Sequence, residues 1–245
     1  CDLVADGYRP DPDHTRGGAV LLVHGGGWSG GHRDTLAWHA HQLALEGYVA
    51  CTIDYRLSGT APYPAALIDC QSALKWVRTN SDRFAIDPNR VGVVGSSAGG
   101  HLVACLGARD NDDPVSARAN CVVDIHGIHD FIPIGKTGTS PVKQATAFLG
   151  GSMHEKPEIW ADASPVRHVD ANTAPMLLLH DPDDELVPYE QSTLLAEALM
   201  RAARPMQFLP TPGSGHGFAY NPEHAWTRRV WPTVVTWLNQ YLVPT

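Results

Sequence analysis

Four short, almost unbroken apolar runs constrain this chain more than any other feature: AVLLV at 19–23, VGVV at 91–94, CVVDI at 121–125 and MLLL at 176–179. Each is too short for a buried helix, is rich in Val, Leu or Ile, and is bounded by turn formers. Two further runs, YVACTI at 48–53 and QFL at 207–209, read as strands as well. Between them lie segments with apolar residues at helical spacing: 35–46, 65–79, 99–108, 190–203 and 227–242, the last apolar at Val230, Val234, Trp237 and Leu238. A strand that is apolar on both sides must be covered on both sides, and alternation with helices provides that cover. The expectation is an α/β fold, a mostly parallel central sheet with helices on both faces, and one domain over residues 1–245. Residues 132–175, rich in Pro, Gly, Thr and Ser, are expected to form a loop-rich, cap-like region.

Charge narrows the partners. The formal net charge is −8 and Lys and Arg are scattered, so neither nucleic acid nor an anionic membrane surface is an expected partner. No apolar run approaches the ~18–20 residues that span a bilayer. The chain opens at Cys1 without a signal-peptide pattern; a leader removed ahead of it would place the protein in the periplasm or outside the cell, and otherwise the cytoplasm is expected. Five cysteines, at 1, 51, 70, 105 and 121, include no C-x-x-C pair, which argues against structural zinc. The odd count leaves at least one thiol unpaired, and one or two disulfides stay open.

The third run breaks into Gly95-Ser96-Ser97-Ala98-Gly99-Gly100 just before a helical segment. Glycines two residues either side of Ser97 let a strand and a helix approach without a Cβ clash, while the turn between them thrusts the hydroxyl outward. Ser96 lacks that flanking, because residue 94 is Val94, and is expected to be a packing or hydrogen-bonding neighbour. A serine hydroxyl needs a base, and the base an orienting acid. His216, in Gly213-Ser214-Gly215-His216-Gly217, and the acidic loop His180-Asp181-Pro182-Asp183-Asp184 both follow strand ends, on the sheet edge where Ser97 is expected. By spacing alone Asp181, Asp183 or Asp184 could be the acid. Negative charge forming on a substrate oxygen needs donors, and His24-Gly25-Gly26-Gly27-Trp28 after the first run exposes backbone N–H groups that can join that of Ala98. Gly25–Gly30 also fits the dinucleotide pattern G-x-G-x-x-G, but no helix opens at these glycines and Ser97, Asp184 and His216 would then have no role.

With these motifs the chain resembles the α/β-hydrolases of the esterase/lipase group that carry an HGGGW oxyanion motif, hormone-sensitive-lipase-like carboxylesterases and small acetyl or feruloyl esterases among them. The likeness runs through Asp54-Tyr55-Arg56-Leu57, Gly95–Gly100, Val187-Pro188 and His216-Gly217-Phe218. It implies an α/β-hydrolase fold with Ser97 as nucleophile, His216 as base and, by alignment of His180 and Val187-Pro188 with the pattern His-Gly-x-x-Asp-x-x-Val-Pro, Asp184 as acid. Asp181 departs from that pattern, standing where it has Gly. The resemblance further implies an oxyanion hole from Gly26, Gly27 and Ala98, no cofactor and no metal, and hydrolysis of short-chain acyl esters, of small molecules or of plant polysaccharide, through an acyl-enzyme. A small amidase or formamidase, or a peptidase-like hydrolase of the same fold, is the alternative; a non-catalytic binder fits poorly, since all three positions are filled. Trp28 and Trp160 are candidates to line the substrate pocket. His126 and His129 suggest hydrogen-bonded loop residues near the pocket rather than metal ligands.

Overall fold

In the computed structural model, which describes residues 4–111, 113–137 and 140–244, the apolar runs form one seven-stranded sheet of order β1-β3-β2-β4-β5-β6-β7. The strands are β1 (Ala5–Tyr8), β2 (Ala19–Val23), β3 (Val49–Ile53), β4 (Val91–Ser96), β5 (Cys121–Ile125), β6 (Met176–His180) and β7 (Met206–Pro210). Only β1 runs antiparallel, pairing Ala5 with Ile53; the rest of the ladder is parallel. This is an α/β-hydrolase arrangement, with the topological reversal beside β2 and β4.

Strand side chains alternate between two packed faces. Leu21, Cys51, Val93 and Leu178 point into one apolar cluster with Leu67, Leu74 and Leu102. Those three come from the helices α2 (Ala65–Thr79) and α4 (Ala98–Ala108). Val20, Ala50, Val94 and Leu177 point into the other, with Leu43, Val234 and Leu238. That face is covered by α1 (Ala37–Leu45) and α9 (Ala225–Leu242). Apolar contact on both faces is why these strands read as continuous hydrophobic runs. The remaining helices are α3 (Ser81–Phe84), α5 (Phe131–Thr137), α6 (Ser140–Leu149), α7 (Pro157–Asp162) and α8 (Glu190–Arg201). Among the described residues no helix is long and apolar enough to cross a membrane.

One expectation needs correction, and one question that the sequence leaves open is answered among the described residues. The region 132–175 is not loop-rich: α5, α6 and α7 and a 3-10 turn at Pro165–Arg167 occupy much of it. Pro141, Pro157 and Pro165 sit in first turns, where a missing N–H costs nothing because that donor has no partner inside the helix. Disulfides are absent among the described cysteines: Cys51, Cys70, Cys105 and Cys121 are free and buried, and Cys1 lies outside the described residues.

Candidate active site

Strand β4 delivers Ser97 into a sharp turn before α4. Its backbone sits at φ 57°, ψ −119°, a conformation that side-chain-bearing residues rarely adopt and that the sharp strand-to-helix turn expected from the sequence requires. The flanking glycines are obligatory. A Cβ on Gly95 would overlap the Gly99 carbonyl, and one on Gly99 would overlap the Val23 carbonyl of the neighbouring strand. Ser96 is buried behind the turn, its hydroxyl 3.4 Å from His126 Nε2, as a packing neighbour should be.

Three distant segments meet at the Ser97 hydroxyl. Ser97 Oγ–H donates to His216 Nε2 at 2.9 Å, and His216 Nδ1–H donates to Asp184 Oδ2 at 2.7 Å. The Asp184 side chain is wholly buried. Its Oδ1 accepts the N–H groups of Leu186 and Val187 at 2.8 and 2.9 Å. Burial by itself would raise this carboxyl, but the hydrogen bonds from His180 and His216, the charge of His216 and the Val187 N–H outweigh it and hold the group far below the usual carboxylate range. An ionised acceptor favours the His216 tautomer with its proton on Nδ1, which leaves Nε2 free to accept from Ser97. Of the three acids that spacing leaves open, Asp184 is the one bonded to the imidazole; Asp183 is exposed, and Asp181 binds backbone N–H groups instead.

A cavity of about 250 Å³ opens beside the hydroxyl, walled by Gly26, Gly27, Trp28, Ala98, Ile128, Val187 and Tyr220, with Gln144 and the half-exposed Leu186 at its rim. The N–H groups of Gly26, Gly27 and Ala98 have no acceptor among the described residues. Gly26 lies at φ 115°, and a Cβ there would overlap the Gly30 carbonyl, so the loop can take this course only with glycine. A larger groove of about 530 Å³ between β1, β3 and α2 touches none of these groups.

Trp28 lines the cavity, stacks on Phe148 at 4.5 Å between ring centroids and donates its indole N–H to His101 Nδ1 at 3.1 Å. Burial pushes His101 down to about 3, so it stays neutral and can accept. Trp160 is a correction: it is fully buried on α7, donates to the Gly151 carbonyl at 3.0 Å and packs edge-on against Phe131, away from the cavity. An amphipathic aromatic in a polar stretch can satisfy its N–H on a loop carbonyl as readily as line a pocket.

Two further groups stand beside the hydrogen-bond chain: His126, expected from sequence as a loop residue near the pocket, and Tyr220, which carried no legible role in sequence. His126 packs its buried ring 4.1 Å from that of His216, and burial together with the His216 charge pushes it well below the ordinary histidine value. Tyr220 donates its hydroxyl to the Ser96 carbonyl at 3.2 Å, and burial raises it to about 12. His129 forms a buried pair with Asp124 at 2.7 Å, away from the cavity lining. Donor atoms of His126, Asp184 and His216 lie within 4.8 Å of one another, but both His216 nitrogens are already engaged by Ser97 and Asp184, so a cation there would break the hydrogen-bonded chain.

Known proteins share this architecture. The sequence pattern of the BD-FAE family matches residues 5–199. Esterase LipC of Mycobacterium tuberculosis is 33% identical over 214 residues, covering 81% of this chain, which in turn spans 52% of that esterase's length. The structure of a thermophilic esterase from Thermogutta terrifontis, Est2, with propionate bound superposes with a TM-score of 0.84 at 26% identity, over 100% of this chain and 92% of that one. An acetyl ester-xyloside bifunctional hydrolase from Caldicellulosiruptor lactoaceticus superposes with a TM-score of 0.79 at 27% identity, over 96% and 87% of the two chains. With its α/β-hydrolase sheet and a family match that takes in the first six strands and the serine turn, the chain belongs to the BD-FAE family.

Proposed function

We propose that this chain is a serine carboxylic-ester hydrolase for short acyl chains. The observation that carries the reading is the unbroken Ser97–His216–Asp184 hydrogen-bond chain at the wall of a small apolar cavity. His216 takes the Ser97 proton as Oγ attacks the ester carbonyl; Asp184 holds the ring and offsets the imidazolium charge. The carbonyl oxygen, now anionic, receives the unpaired N–H groups of Gly26, Gly27 and Ala98. His216 then protonates the departing alcohol, and the same nitrogen later deprotonates the water that frees the acid from the acyl-enzyme.

The cavity, about 250 Å³, lies below the range of drug-sized pockets, which favours acetyl to butyryl over long chains. Propionate in the Est2 structure is consistent with that size. The likeness to an acetyl ester-xyloside bifunctional hydrolase supports acetyl as the group removed; the narrower reading is removal of acetyl, with feruloyl as the second candidate, from plant polysaccharide. A panel of p-nitrophenyl esters from acetate to decanoate, with acetylated xylan, methyl ferulate and p-nitroacetanilide, tests both levels. The expected kcat/KM falls by roughly tenfold or more beyond butyrate, since each methylene without a pocket forfeits ~1 kcal/mol or more. Rates that rise with chain length, or an anilide cleaved faster than the esters, would overturn the proposal; brisk acetate turnover with inert xylan and ferulate would remove only the polysaccharide reading.

A further inference from the structure

Asp181 is the carboxylate that the hydrogen-bond chain leaves over. It is 2% exposed and has no cation partner among the described residues. Its oxygens accept backbone N–H groups alone: Gly215 at 2.6 Å, Gly213 at 3.2 Å and, within its own turn, Asp183 at 3.1 Å. Burial would raise its carboxyl, but these donations outweigh it and leave it below the ordinary value, so the group is ionised and can only accept, which matches its three donors.

The segment it grips has little else to hold it. Gly213 and Gly215 lie at φ 75° and 67°, both are exposed, and no atom lies within 4 Å of where a side chain would begin on either. The buried Ser214 adds bonds only within the same turn, its N–H to the Thr211 carbonyl at 3.1 Å and its hydroxyl to the Thr211 hydroxyl at 3.1 Å and the Gly215 carbonyl at 3.3 Å. Three glycines in five residues make this stretch costly to order, yet the imidazole it carries must sit within hydrogen-bond reach of two partners at once.

We infer that Asp181 is a positioning residue: by clamping the N–H groups of Gly213 and Gly215 it holds His216 between Asp184 and Ser97. The inference rests on the reading of Ser97, His216 and Asp184 as the catalytic chain. One turn, closed by the Asp184 N–H on the Asp181 carbonyl at 3.2 Å, thus supplies two carboxylates with separate tasks: Asp184 orients the ring, and Asp181 anchors the backbone that bears it. An amide at residue 181 would set an NH₂ against a backbone N–H and lose part of the clamp.

The test is steady-state hydrolysis of p-nitrophenyl acetate by Asp181→Asn, on protein shown to be folded by circular dichroism. Displacing a catalytic group by about 1 Å can cost ~100-fold in rate, so kcat should fall roughly 10- to 100-fold. KM should stay within about threefold, since Asp181 does not touch the cavity. A folded variant with kcat within about twofold of the parent would overturn the inference. If the variant does not fold, amide exchange measured by NMR on the unaltered protein decides: the Gly213 and Gly215 amides should exchange at least about tenfold slower than that of Gly217, which has no acceptor among the described residues. Equal rates would overturn it. Failure of an active-site phosphonate to label Ser97 in the unaltered protein would sink the catalytic reading itself, and the inference with it, whatever the exchange rates.

Discussion

An aliphatic hydroxyl attacks an ester only when its proton has a base to go to and the carbonyl oxygen has donors to receive its charge. In the function proposed for this chain each requirement falls to a particular residue, so single substitutions should separate them. Ser97→Ala removes the nucleophile and should reduce hydrolysis to the background of the folded protein. Asp184→Asn keeps a side chain of the same shape but favours the wrong tautomer of His216, and kcat should drop by about 10⁴ with little change in KM; initial-rate kinetics on p-nitrophenyl acetate measure both. A drop of less than about tenfold for Asp184→Asn would mean that another acid orients the ring. Ser97 and His216 were legible because the glycines around them report backbone needs that few other contexts share. Spacing alone left Asp184 among three acids, because the turn that sorts them is tertiary and depends on where the His216 loop passes; only the resemblance to the family pattern singled it out. The environment of Trp160 was illegible for the same reason, since nothing local tells an aromatic in a cavity wall from one sealed under a helix.

At the scale of elements, the strand-to-helix turn is the part with least slack. Gly99→Ala would drive a Cβ into the Val23 carbonyl, and backbone on a neighbouring strand cannot step aside. Its cost should exceed ~4 kcal/mol, in the range reserved for gross packing faults. Gly217→Ala makes the contrast: its φ is −95° and open space surrounds it, so stability should stay within about 0.5 kcal/mol of the parent. Urea melts of the two variants read both outcomes, and similar midpoints would show that the elbow tolerates a side chain. A second prediction concerns α6. Phe148 is buried and stacks on Trp28, so Phe148→Ala should cost about 3–5 kcal/mol by opening a cavity under that wall. Six strands and the flanking helices were readable from apolar period. Strand β1 was not, because Ala5-Asp6-Gly7-Tyr8 lies at a half-exposed edge and carries no apolar run. Helices α5 to α7 were misread because their prolines, which suggest loops, sit where a helix start accepts them.

For the whole molecule, buried histidines couple stability to pH. Burial pushes His39 down to about 4 and His101 down to about 3, and it depresses His126 well below the ordinary value of 6.5. Below pH 6.5 the unfolded chain takes up protons at these sites before the folded one does, so stability rises with pH there and is lost as pH falls from about 6.5 toward the folded values. The slope should reach about 1.4 kcal/mol per pH unit for each histidine. Melting temperatures between pH 7.5 and 4.5 should therefore fall steadily, and His39→Leu should make the decline shallower; a flat profile, or one that His39→Leu leaves parallel, would contradict these assignments. The scaffold that accommodates them, a sheet packed on both faces, also brings three chain segments, around residues 97, 184 and 216, to one edge.

The central claim is that the Ser97 hydroxyl is activated by this surrounding structure, and covalent labelling tests it most directly. The folded protein should be treated with a fluorophosphonate, digested and mapped by mass spectrometry. One adduct per chain on Ser97, absent from Ser97→Ala and lost on prior unfolding, is the expected result. Ester hydrolysis that persists while Ser97 stays unmodified, or an adduct seated on another residue, would contradict it.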